Sequence, residues 1–408
     1  MSESPRSSLE WTTHLVGLDT TSRDSNLGLI EVVEAELKRL GIGSTRLPNA
    51  DGSKANLVAT IPARDGSTSG GIVLSGHTDV VPVDGQDWSS KPFAPEVRDG
   101  RLYGRGTADM KSFIGVVLAM LPQLAEAELG EPVHLALSYD EEVGCIGAVD
   151  IAEHFRARAE TEGGALPRAC IVGEPTSMRV IAAHKSINLV DLVFHGKAAH
   201  SSLTPQGVNA VEYAARAISF IRGIADQRRA EGPFDEAFVV PHTTASVNVV
   251  QGGIAGNTVA DRCHVQFEFR TVGADDPAEI LSRIERHVRE LEEEMQAEDP
   301  AARVDLTPVA LVPGLDTPAD SPAVALAAEL GGVPSTDKVT YGTEAGLFHA
   351  VGIPTVVCGP GDIAQAHSPD EYVEIAQVEA CEQFLTTLLK HLTTQHLTNQ
   401  HLTNQENR

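Results

Sequence analysis

Two histidines and several carboxylates stand directly after short apolar runs of this sequence, where the strands of a sheet would end. His77 and Asp79 follow the run 71–74, an imidazole and a carboxylate two positions apart. That spacing lets one ring nitrogen bind a metal while a carboxylate holds the other N–H. Asp109 lies in the glycine-rich stretch 104–111, and taken alone it reads as a helix N-cap. Asp140, Glu141 and Glu142 follow the run 133–138, where three adjacent acids ordinarily mark a solvated loop. Glu174 follows 169–172 and His367 follows 354–358; singly, each reads as a surface residue beside a turn. Together they set two imidazoles and three or four carboxylates at one sheet edge, where open α/β proteins bind ligands. Imidazole and carboxylate without thiolate suit Zn2+, Co2+ or Mn2+ in an open hydrolytic site. A surplus of acids, one of them shareable, points to two ions about 3.5–4 Å apart.

The elements that must hold these residues follow from hydrophobic period. Segments 9–18 and 27–40 predict helices, the second with Ile30, Val33, Leu37 and Leu40 on one face, Asn26 as N-cap and Gly41 after its end. Residues 56–61, 71–74, 133–138 and 169–172 predict strands, with a buried helix over 110–124 and helical sequence between the last two strands. That rhythm is α/β: a mostly parallel sheet with helices on both faces. From 186 it changes to strand 187–194, helix 208–230, strands 244–250 and 262–270, helix 277–295 and strand 304–311. The order β-α-β-β-α-β is the split, ferredoxin-like α+β pattern. The expected organisation is a catalytic domain at 1–185 and 313–390, an inserted domain at 186–312, and a tail at 391–408. In the tail three near-copies of one pentad begin at His391, His396 and His401. A polar repeat of this kind predicts a frayed helical or disordered extension rather than a metal site.

Composition excludes some partners. A formal net charge of -26 argues against nucleic acid and anionic membranes as binding surfaces. The five scattered cysteines include no Cys-x-x-Cys pair, and the first residues carry no apolar leader, so a reduced, cytoplasmic protein is expected.

The strongest statement comes from motifs taken together. His77-Thr78-Asp79, Gly106-Thr107-Ala108-Asp109-Met110-Lys111, Asp140-Glu141-Glu142-Val143-Gly144, Gly173-Glu174-Pro175-Thr176 and Ala366-His367 resemble the motif set of the M20 metallopeptidase family. The likeness runs in order from about 9 to 389. The segments 21–27 and 359–372, Cys145 after the acidic loop, and Tyr341-Gly342-Thr343-Glu344-Ala345 are most similar to its acetylornithine deacetylase branch.

The resemblance implies a di-zinc catalytic domain, in which Co2+ or Mn2+ can substitute, and an inserted lid and dimerisation domain. It implies that His77 and Glu174 hold one ion, that Glu142 and His367 hold the other, and that Asp109 bridges both. Asp79 would orient His77, and Glu141 would be the general base toward a water between the ions. His200 would donate a hydrogen bond to the tetrahedral oxyanion from the partner subunit of a homodimer. Asn257 and Arg270 would bind substrate, Arg270 through an α-carboxylate, although it reads equally as an exposed rim residue. Glu344 would accept a substrate ammonium, with a helix start as the level alternative. The implied activity is deacetylation of N2-acetyl-L-ornithine to L-ornithine and acetate in arginine biosynthesis. Succinyl-diaminopimelate desuccinylation, broader N-acyl-amino-acid deacylation, and an inactive binding relative are the alternatives.

Overall fold

A computed structural model describes residues 7–161 and 163–406, with side chains to Thr394. The chain divides into two compact units, one of Met1–Ala183, Asp316–Thr336 and Thr343–Arg408, the other of His184–Leu315 and Asp337–Gly342.

The first unit is α/β, built on a six-stranded sheet. Its order is Gly43–Pro48, Ala55–Ile61, Val133–Ser138, Ile72–His77, Ala169–Pro175 and Thr355–Gly359. The last four run parallel, while the Ala55–Ile61 strand is antiparallel to both neighbours. Four of the strands are buried along their whole length, as a sheet covered on both faces requires. The helix Ser112–Glu126 packs against Ser8–Val16 and against the last helix, and ten of its residues are buried. Where it passes under the Ala169–Pro175 strand, the Phe113 ring occupies the space beside Gly173. A Cβ there would lie 1.9 Å from Phe113 Cγ, so only glycine admits this approach.

Several expectations shift. The helix Leu27–Arg39 begins after Asn26, but the Asn26 side chain does not cap it. Its amide instead donates to the Ala55 carbonyl and Thr78 Oγ1, and its oxygen accepts from the Ala55 N–H. Two buried strand ends thereby outcompete the local cap. The strand Gly43–Pro48 had no clear period-2 signal because its side chains face solvent. Residues 337–342, expected in the catalytic domain, group with the second unit. The Lys338 N–H donates to the Ala237 carbonyl and its ammonium pairs with Asp235 at 2.8 Å.

The tail also differs. The last helix runs unbroken over Ile375–Glu406, carrying its backbone through the repeats. Leu392, in the first pentad, is 1% exposed within the main core, and its carbonyl accepts from Gly130 N–H. The pentad side chains from 395 onward lie outside the described residues. No described helix is long and apolar enough to cross a membrane.

The second unit is an antiparallel four-stranded sheet in the order Thr244–Gly252, Arg262–Arg270, Ile187–His195, Arg303–Val312. Its two central strands alternate buried and half-buried residues almost without exception. The buried set, including Phe194, Phe267 and Phe269, packs with Ile221 and Ile284 from the helices Ala210–Glu231 and Pro277–Glu298. This is the split β-α-β arrangement read from the sequence.

Burial of Leu392 makes a measurable claim. Leu392→Ala removes a core side chain and should cost about 2–5 kcal/mol in urea unfolding. An unchanged denaturation midpoint would show that the first pentad is a tail after all.

Candidate metal centre and active site

In the first unit the sequence candidates converge where the parallel strands end. His77 is the last residue of its strand, and Glu174 lies near the end of the neighbouring one. Glu141 and Glu142 occupy the turn after Val133–Ser138, which pairs with the His77 strand in parallel register. His367 sits in the loop after Thr355–Gly359, with a positive φ of 62°. Asp109 lies in the irregular turn Thr107–Lys111, entered through Gly106 at φ 87°, and it caps no helix.

Asp109 is the centre of the group. Its Oδ1 lies 2.8 Å from His77 Nε2 and its Oδ2 3.3 Å from His367 Nε2. Glu174 Oε1 stands 3.7 Å from the same His77 nitrogen, and Glu142 Oε2 2.9 Å from the His367 nitrogen. Two clusters result, His77–Asp109–Glu174 and Asp109–Glu142–His367, each with donor atoms within 4.8 Å of one another. They share one carboxylate through its two oxygens.

The donors fit cations. Glu174 Oε1 is buried and has no hydrogen-bond partner, which is costly for a carboxylate oxygen unless an ion meets it. Burial pushes the Glu142 carboxyl up to about 7 and raises Glu174 as well, with the Asp109 charge adding to both. Hydrogen bonds to Asp109 and Glu142 push His367 up to about 10. Burial first, and then the neighbouring carboxylates, favour the protonated acids, while the flanking carboxylates favour protonated His367. A divalent ion would relieve the same crowding, and imidazole with carboxylate is a Zn2+, Co2+ or Mn2+ donor set.

Asp79 faces His77 with both its main chain and its carboxylate, and it has a further task. His77 Nδ1–H donates to the backbone carbonyl of Asp79 at 2.9 Å, whereas the carboxylate lies 3.6 Å away. That carboxylate accepts from Ser22 Oγ at 2.7 Å and from the backbone N–H groups of Glu141 and Glu142 at 3.1 and 3.3 Å. The carbonyl accepts from the imidazole, while the carboxylate lies beside the same ring and also holds the acidic turn.

Glu141 belongs to neither cluster. Its Oε1 accepts from the buried Cys145 thiol at 3.2 Å, and burial, joined by the charges of Glu142, Asp109 and Glu344 and opposed by His77, pushes its carboxyl up to about 8. Glu344 also departs from expectation. It is 0% exposed, with Oε1 accepting from Ser75 Oγ at 2.7 Å and Oε2 from Ser138 Oγ at 2.5 Å. A carboxylate with both oxygens engaged and no exposure does not meet a substrate ammonium; it ties together the strands that end in His77 and Ser138. It stands where the helix Ala345–Ala350 starts, the alternative read from the sequence, but its side chain makes no capping hydrogen bond.

The serines were missed in the sequence. Ser75 and His77 share a strand face by the period of two, and a polar residue repeated there inside an apolar run was the available signal.

His200, Asn257 and Arg270 fall in the second unit. His200 is exposed, caps the short turn Ser201–Gln206, and bonds Ser202 Oγ through Nδ1 at 2.8 Å. Asn257 is its neighbour, its carbonyl accepting from Ser201 N–H. Arg270 ends its strand half-buried, with one bond to Glu268 at 3.3 Å.

Residues 73–391 match Peptidase family M20/M25/M40. The chain belongs to this family. It is 34% identical over 382 residues to an acetylornithine deacetylase of Myxococcus xanthus, covering 93% of this chain and 96% of that one. To an acetylornithine deacetylase of Proteus mirabilis it is 32% identical, covering 91% and 92%. Among solved structures, the M20 metallo-carboxypeptidase Sso-CP2 of Sulfolobus solfataricus superposes with a TM-score of 0.70 at 20% identity, covering 96% of this chain and 99% of that one. The YXEP protein of Bacillus subtilis, described as a dinuclear metal binding peptidase of the family, gives 0.62 at 17%, covering 94% and 97%. As a member of the M20 family the chain is a hydrolase, a metallo-amidohydrolase.

Two outcomes follow. Zn2+ titrated calorimetrically in buffers of different ionisation enthalpy near pH 7 should release protons, because ligands with raised pKa values are protonated before binding. Apparent affinity should weaken as pH falls from about 8 to about 6; a pH-independent affinity would contradict the donor assignment. Separately, Glu344→Gln should leave the ratio of kcat/KM between a cationic and an uncharged N-acyl amino acid within about two-fold. A selective loss of ten-fold or more, about 1.4 kcal/mol, would restore the ammonium-reading role.

Proposed function

We propose that this M20 hydrolase is a dinuclear metal enzyme that deacetylates N2-acetyl-L-ornithine to L-ornithine and acetate in arginine biosynthesis. The observation that carries the chemistry is Asp109, one carboxylate with each oxygen turned to a different histidine, beside an acid, Glu141, that lies in neither cluster. The acyl substrate rests on relatives named acetylornithine deacetylase, 31–34% identical over at least nine-tenths of this chain.

His77, Asp109 and Glu174 would hold one ion, and Asp109, Glu142 and His367 the other. Two bound divalent ions, Zn2+ first with Co2+ or Mn2+ able to substitute, supply Lewis acidity and lower the pKa of water. Glu141 is the general base: it takes the proton of the attacking water and passes it to the leaving α-amine. The Cys145 thiol fixes Oε1, and Oε2 accepts no bond among the described residues, which leaves it free for the proton. A raised proton affinity suits a group that must both accept and return a proton near neutrality.

His200 supplies a hydrogen-bond donor to the oxyanion from the partner subunit of a homodimer formed through the second unit, which serves as lid and dimerisation domain. Arg270 receives the substrate α-carboxylate, for which a guanidinium fork is well matched, and Asn257 adds a polar contact. The setting is cytoplasmic.

The test is a substrate panel with Zn2+ or Co2+ added: N2-acetyl-L-ornithine, N-succinyl-diaminopimelate and N-acetylmethionine, read by release of amine. Preferred turnover of acetylornithine supports the reading; preference for another substrate moves it, and no turnover of any removes it. On the preferred substrate, Glu141→Gln should cost about 10²–10⁴-fold in kcat with both ions retained. Loss of ions from Glu141→Gln and not from Glu142→Gln would exchange the two assignments.

A further inference from the structure

A second buried acid stands behind the shared ligand. Glu371 is 1% exposed and lies four residues after His367. Its Oε1 accepts three backbone N–H groups, from Gly106, Ala108 and Asp109, at 3.0, 2.9 and 3.1 Å. Its Oε2 accepts from Arg105 Nη1 at 2.6 Å, and Arg105 is also 1% exposed. The Glu371 carbonyl receives Gly104 N–H, so main chain and side chain both grip the turn that presents Asp109. Three amides converging on one oxygen form the kind of concave backbone nest that elsewhere binds a free anion. Here a side chain from the His367 loop fills it.

The same pair reaches His367. Arg105 Nη2 donates to Gln86 Oε1, and Gln86 Nε2 donates to the His367 carbonyl at 2.8 Å. Arg105 Nη1 also approaches the Ser368 carbonyl at 3.4 Å, and its guanidinium lies over the Trp88 ring at 5.1 Å. One buried ion pair thus joins the Asp109 turn, the His367 loop and the segment 86–88.

We propose that the Arg105–Glu371 pair is the positioning element of the metal centre, setting Asp109 and His367 relative to each other and so setting the affinity for both ions. The inference rests on the two-ion reading above. Asp109 serves each ion with a different oxygen, and its carboxylate direction follows from the backbone of residues 106–109 that Glu371 holds. A ligand displaced by a fraction of an ångström loses binding to both partners at once. Glu371 touches neither ion nor substrate in this account and acts only through the backbone it fixes.

The test measures ion binding rather than turnover. Metal-free protein is titrated with Zn2+ against a competing chelator, and both stepwise affinities are fitted for wild type, Glu371→Gln, Glu142→Gln and Glu174→Gln. Glu371→Gln should weaken both ions, each by about 10–100-fold, the range for losing a group that orients a ligand. Glu142→Gln and Glu174→Gln should each weaken one. Leu388→Ala, in the core of the last helix, controls for stability: a comparable fall in melting temperature should leave both affinities in place. If Glu371→Gln does not fold, Glu371→Asp keeps the charge but shortens the reach, and should show the same double loss. A folded Glu371 variant with both affinities within about three-fold of wild type, or with one ion affected alone, overturns the proposal while the two-ion reading stands. A wild-type protein that takes up fewer than two ions overturns that reading, and this proposal with it.

Discussion

The shared carboxylate of Asp109 is the constraint on which the rest of the first unit depends. Crowding Asp109, Glu141, Glu142 and Glu174 into a buried space against two imidazoles is electrostatically adverse. Such a cluster persists only where the backbone presenting it is held from outside and where cations complete it. The surroundings match that need. Asp79 holds the N–H groups of the acidic turn, Glu371 holds those of the Asp109 turn, and the Asp79 carbonyl holds the His77 ring. In the first two cases a buried carboxylate satisfies main-chain donors that the loops would otherwise leave bare; in the third a main-chain carbonyl satisfies a buried ring N–H.

The sheet contributes by ending its strands together. Val133–Ser138, Ile72–His77 and Ala169–Pro175 pair in parallel, so the residues after them emerge at one edge. Glu344 and its two serines bind adjacent strands just below the site, and Gly173 lets Phe113 pack directly beneath Glu174. Apolar packing and buried polar contacts therefore do one job here, which is to hold strand ends at a fixed distance. Glu141 lies in neither cluster, and a weak donor, the Cys145 thiol, meets one of its oxygens.

Three readings changed or widened on meeting the structure, for a common reason. Asn26 has the right type and place for an N-cap, yet its amide bonds a strand and Thr78. Asp79 has the spacing of a residue facing His77, and besides lying 3.6 Å from that ring its carboxylate holds a loop about sixty residues away in sequence. Glu344 reads from the sequence as an ammonium acceptor or a helix start, and it stands at the start of a helix, fully buried between serines. In each case the side chain's partner comes from a distant segment, and local propensity carries no information about it.

What the sequence by itself determined is the class of fold and the split β-α-β-β-α-β unit, and it named the acids and histidines that the fold then gathers into two clusters. Those properties are written in hydrophobic period and in residue type at strand ends, both of which are local, and motif order then joins the separate sites into one. Tertiary structure alone decided the atoms through which Asp109 faces both histidines, what holds each turn, and that the core extends through Leu392. These depend on distances between atoms far apart in the chain. Such distances are set by how strands align and by which buried donors find acceptors, and neither has a signature in any short stretch of residues.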